Sequence, residues 1–104
     1  MKPNLHILLL VFCRENDLEI QQEFKFHTTR KWKFDYFIAD LNTAIEFEGL
    51  VSSKSRHTTI TGYTGDCTKY NAAVKMGIKV LRYTVLNYMD VVEDLKEMLN
   101  CKIL

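Results

Sequence analysis

Hydrophobic positions along the chain change period several times, and each change marks an element. From about Asn4 to Arg14 the apolar run "LHILLLVF" suits a buried amphipathic helix, which "ENDLEI" ends. "QQEFKFH", Gln21 to His27, alternates and predicts a strand. Lys33–Ala39 and Ala44–Gly49 alternate again around "DLNT", whose Asp and Asn favour a turn, so they form a β-hairpin. Leu50 to Gly65 is rich in Ser, Thr and Gly and reads as a polar loop. "DCTKYNAAVKMG" predicts a helix with Asp66 as N-cap and Gly77 as its stop. "KVLRYT", Lys79 to Thr84, is a short strand, and Tyr88, Val92, Leu95 and Leu99 then recur at helical spacing. The order α-β-β-β-α-β-α predicts an α/β fold. Its four-stranded mixed sheet is flanked by helices on both faces.

The chain of 104 residues makes one domain, residues 1–104, with a single core. No repeat, low-complexity tract or linker divides it. The eight-residue apolar run from Leu5 to Phe12 is too short for a bilayer, which takes about 20 residues. A lipoprotein signal ending at Cys13 is disfavoured by the bulky Phe12 before it. Cys13, Cys67 and Cys101 lie far apart, which is neither a disulfide framework nor a CxxC metal site. They suit a reducing, intracellular compartment, here the cytoplasm.

A formal charge of +1 argues for no partner, but its distribution is uneven. "KFHTTRKWK", Lys25 to Lys33, carries basic residues and no acid. Leu50 to Gly65 again lacks acids but holds Lys54, Arg56 and His57. Between these stretches the hairpin places Asp35, Glu46 and Glu48 among strand residues, where a carboxylate is costly. If "DLNT" is a four-residue turn, Ala39 pairs with Ala44, Asp35 falls opposite Glu48, and Phe37 opposite Glu46. The three acids then share one face, while Phe34, Tyr36, Ile45 and Phe47 take the other. Like charges across strands repel, so a cation must compensate. That cation is either a hard metal ion such as Mg²⁺ or, on a solvated face, the nearby lysines.

The spacing Asp, ten residues, Glu-x-Glu, carried on the second and third strands, resembles the PD-(D/E)XK nuclease superfamily. It is most similar to the small bacterial and phage branch akin to very-short-patch-repair endonucleases. "EFKFHTTRKWKFDYF", "AIEFEG", "RHT" and "DCTKYNAAVKMGIKVLRYT" are the blocks of likeness, and they cover almost the whole chain. The resemblance implies a restriction-endonuclease-like core and a Mg²⁺-dependent endodeoxyribonuclease, with Mn²⁺ as a substitute. The implied metal ligands are Asp35, Glu46, the Phe47 backbone carbonyl and Glu48. The third motif of that superfamily usually ends in Lys, where Glu48 stands here. Lys69 on the next helix is the candidate for a migrated lysine, unless it is a surface residue. Many relatives also carry a Glu in the first helix, where this chain offers His6, with Glu15 further on.

Glu48 or Lys69 would orient the attacking water, and His57 is a candidate general acid because its unperturbed pKa lies near neutrality. Arg30, Lys31, Lys33, Lys54 and Arg56 would contact DNA phosphates on either side of the acids. Trp32 is either a wedge against bases or a core anchor. Nicking, repair or branched-DNA cleavage suits so small a domain, whether host- or phage-encoded, and a homodimer would cut two strands. A catalytically silent DNA-binding module of the same fold is the alternative, and a toxin-like ribonuclease a third.

Overall fold

A computed structural model describes residues 4–49 and 59–103. Helix α1 (Leu5–Glu15) is followed by β1 (Gln21–Lys25), β2 (Lys33–Ile38) and β3 (Thr43–Phe47). Helix α2 (Ile60–Lys75), β4 (Lys79–Tyr83) and α3 (Val91–Ile103) complete the order. The four strands form one sheet in the order β1-β2-β3-β4. The first three are antiparallel neighbours, and β4 runs parallel to β3. This is the expected α/β architecture with a mixed sheet.

Each face of the sheet has its own core. On one side Leu5, Leu9, Phe12 and Cys13 of α1 and Val91 and Leu95 of α3 pack on Tyr36, Ile38, Ile45 and Tyr83. The spacing of 5, 9, 12 and 13 is one helix face, which is why the apolar run became α1. Burial also pushes the Cys13 thiol up to about 11, so it stays protonated and inert. On the other side Ala73 of α2 closes over Phe34, Ala44 and Ile78, with Phe26 beside them. Among the described residues, no helix is long and apolar enough to cross a membrane.

Helix α2 begins well before Asp66. Thr59 is its N-cap, with the side-chain oxygen accepting from Gly62 N at 3.0 Å. Residues 59–65, expected as loop, form the cap and first turns of this helix, and Asp66 lies within it. The rest of that loop, residues 50–58, lies outside the described residues. Ile60 and Tyr63 are exposed, so these turns carry no apolar period for a sequence pattern to detect. Thr59→Ala should lower stability by about 1 kcal/mol in chemical denaturation, because it orphans a first-turn amide. The helix stop falls as expected. Gly77 takes φ +80°, and its N–H donates to Val74 O while Ile78 N donates to Ala73 O. These two bonds are those of a Schellman motif.

The β2–β3 register differs from the expected one by two residues. The observed pairs are Tyr36↔Ile45, Phe37↔Ala44 and Ile38↔Thr43. The connection is a 3-10 turn, Ala39–Leu41, closed by Asn42 in the left-handed region at φ +48°. Asn42 is also held by its side-chain N–H to Gly77 O at 2.7 Å. Leu41 and Thr43 are buried, which draws Thr43 into the strand and moves the turn back by one position. Continuing this register brings Asp35 opposite Glu46 rather than Glu48, and Phe37 lies opposite Ala44 rather than Glu46.

Candidate functional site

The ladder between β2 and β3 stops before Asp35 and Glu46, and their carboxylates take over its hydrogen bonds. Asp35 N donates to Glu46 Oε1 at 3.1 Å, and Phe47 N donates to Asp35 Oδ2 at 2.8 Å. The two strands therefore part into a fork at this end of the sheet. The pleat of β2 also slips there. Phe34 and Phe37, three residues apart, both join the α2-side cluster, while Tyr36 and Ile38 join the opposite one. Phe34 thus leaves the face shared by Tyr36, Ile45 and Phe47, contrary to simple alternation. On the facing strand Glu23 lies between the paired residues Gln22 and Phe24 and has φ +52°.

Glu46 is 9% exposed, and its second oxygen, Oε2, accepts from Lys69 Nζ at 2.7 Å. Burial raises the Glu46 pKa, and the hydrogen bond and charge of Lys69 oppose that rise. Lys69 is no solvated surface residue: it is also 9% exposed, with its ammonium 4.5 Å from the centre of the Phe34 ring. An ammonium packed on a ring face and bonded to a carboxylate is held in one position.

Glu48 does not converge with Asp35. Its Oε2 accepts from Tyr70 OH at 2.9 Å and from Arg82 Nε at 2.7 Å, on the α2 side of the sheet. The Arg82 guanidinium lies 4.1 Å over the Tyr70 ring. Burial, then the neighbouring Glu48 charge, keeps the Tyr70 phenol protonated and donating. Arg82 is directly opposite Glu46 across the parallel β3–β4 pair. Neither Arg82 nor Tyr70 stood out in the sequence. The available signal was the alternation in "VLRYT", which puts an arginine between Leu81 and the buried Tyr83 beside a Glu-x-Glu strand.

Asp35 opens on the other side of the fork. It lines a cleft of about 270 Å³ with Leu5, His6, Gln22, Glu23, Tyr36 and Phe47. His6 Nδ1 shares a 2.9 Å hydrogen bond with the Tyr36 hydroxyl, whose pKa is raised by burial and then by Asp35. His6 therefore stands where the first helix faces the fork. Glu15 ends α1, about 15 Å along the axis from Leu5, and supplies no acid to this cleft.

Among the described residues, Lys69 and Arg82 pair with Glu46 and Glu48, and no ion pair reaches Asp35. Hard carboxylate oxygens at Asp35 and Glu46 are the donor type Mg²⁺ takes. Among the described residues no three His, Cys, Asp or Glu side chains stand close enough to form a complete metal cluster. Glu48, engaged by Arg82, is the acid least able to join one.

Arg30, Lys31 and Lys33 are exposed at the start of β2, the same end of the sheet as the fork. The Arg30 guanidinium lies 4.2 Å over Trp32. His27 Nδ1 accepts from Arg30 N at 3.1 Å, and Phe26 stacks near the same indole. Trp32 is thus an anchor that shapes the basic turn. Lys33 also reaches Glu23 at 3.4 Å, an exposed pair. Lys54, Arg56 and His57 lie outside the described residues. No known protein family matches the chain, and neither a curated protein nor a solved structure does.

Proposed function

We propose that the chain is a metal-dependent DNA endonuclease with a restriction-endonuclease-like core, hydrolysing phosphodiester bonds at the β2–β3 fork. The observation that carries this is the juxtaposition of Asp35, Glu46 and Lys69. A carboxylate held by a backbone amide, a buried carboxylate and a fixed ammonium meet where two strands part. Asp35, Glu46 and the Phe47 carbonyl are the proposed Mg²⁺ ligands, with Mn²⁺ as substitute. Such an ion would polarise the scissile phosphate and acidify a water. Lys69 would hold that water or its hydroxide for in-line attack, which fits its fixed place beside Glu46. Glu46 would relay orientation between Lys69 and the Asp35 backbone. Arg30, Lys31 and Lys33, at the same end of the sheet, would hold phosphates without reading sequence. Lys54 and Arg56 would extend that clamp, and His57 would be a general acid. A cytoplasmic location and a homodimer that cuts both strands complete the proposal.

One observation favours the rival, a silent DNA-binding module of the same fold. Both glutamates are already neutralised by Lys69 and Arg82. A plasmid-nicking assay in Mg²⁺, Mn²⁺ and EDTA separates the two. Nicking that needs metal is expected. Binding to DNA without nicking in either metal would leave the silent module, and cleavage of a labelled RNA control instead would indicate a ribonuclease.

A further inference from the structure

The Arg82–Glu48–Tyr70 group is more elaborate than charge compensation requires. Glu48 has a side chain only 6% exposed, whereas that of Arg82 is 48% exposed. A buried acid therefore holds a half-exposed guanidinium by its Nε edge, while the Tyr70 ring supports its face at 4.1 Å. Glu48 occupies one edge of the guanidinium fork. Among the described residues, no acceptor other than Glu48 takes a hydrogen bond from Arg82. The guanidinium is half-exposed, with the Asp66 charge also acting on it, and its Nη groups offer further donors in the planar arrangement that suits a phosphate. Across the strand pair Arg82 is the partner of Glu46, one inter-strand spacing of about 4.8 Å away.

We infer that Arg82 is a phosphate-binding residue, gripping the DNA backbone on the β4 side of the fork, with Glu48 and Tyr70 as its positioning residues. This rests on the proposed nuclease function and gives Glu48 a role other than metal ligand. DNA then spans the sheet end from the basic turn before β2 to Arg82 at the end of β4. Asp35, Glu46 and Lys69 lie between these two contacts.

The test measures binding of a short duplex in EDTA, where nothing is cut, across a range of KCl concentrations. Arg82→Gln should weaken binding roughly eightfold at about 0.1 M salt and lower the log–log salt slope by about one. Arg82→Lys keeps the charge and should restore the slope. Its cleavage KM should stay raised with kcat little changed, because ammonium replaces the planar fork. A measurement on the unsubstituted protein covers the case in which the variants do not fold. Phenylglyoxal should modify Arg82 less when duplex is bound, with exposed Arg14 on α1 as the unprotected control. Wild-type affinity and slope in a folded Arg82→Gln, or equal modification of Arg82 with and without DNA, overturns the inference while leaving the nuclease intact. A wild type that neither binds nor nicks DNA overturns both.

Discussion

Asp35→Asn should give a protein that folds as well as the wild type and no longer nicks DNA. The amide oxygen of Asn can still accept from Phe47 N, the one hydrogen bond that the Asp35 carboxylate makes to the fork. What disappears is a negative charge beside Glu46, whose own pKa Asp35 helps to raise. Relief of that repulsion should leave stability unchanged or higher by about 0.5–1 kcal/mol. On the proposed metal-dependent mechanism, losing a ligand of the metal would remove several kcal/mol of transition-state stabilisation, about a thousandfold in rate. Binding in EDTA should hold or tighten, since a charge facing phosphate is gone. Thermal melts with and without Mg²⁺, run beside the nicking assay, decide the matter. A destabilised variant, together with a wild type indifferent to Mg²⁺, would end the case for a nuclease.

Lys69→Ala should cost both rate and stability. On the proposed mechanism, cleavage per folded molecule should fall roughly a hundredfold or more, because the attacking water would lose its donor. Stability should fall by about 3–5 kcal/mol at neutral pH, because Glu46 is left buried with its charge unpaired. The loss should depend on pH in a definite direction. The folded pKa of Glu46 is already raised above its ordinary 4.5, through burial. Removing Lys69 raises it further. The folded state then binds more protons than the unfolded one between those two values. Stability is therefore fully retained below about pH 4.5 and lost as pH rises through the folded pKa. Urea denaturation of variant and wild type at pH 5 and pH 8 should show the gap widening at the higher pH. Equal stability at both would mean that the Lys69–Glu46 bond does not persist in solution.

The order of elements was legible because periodicity changes with each one, and the helix stop at Gly77 because only a left-handed residue ends a helix that way. The start of α2 was not, since Ile60 and Tyr63 face water and leave no stripe. The acids at 35, 46 and 48 were visible as polar residues in strands, but their partners were not. Register depended on whether Asn42 or Thr43 closed the turn, and buried Thr43 decided it. Arg82 entered the site through a parallel crossover that sequence distance conceals. Lys69 looked like any helix lysine until α2 was seen to lie over Phe34.

Glu23 has a consequence for how the molecule tolerates change. A side chain with a β-carbon at φ +52° holds a conformation that disfavours it by roughly 1 kcal/mol or more. Glycine at that position would relax the backbone, so selection for thermal robustness would favour it there. The same substitution would remove an acid from the cleft beside Asp35 and release Lys33 from its partner. Robustness and the electrostatics of the fork therefore pull this one position in opposite directions, and a sturdier descendant of the chain would carry a less acidic cleft.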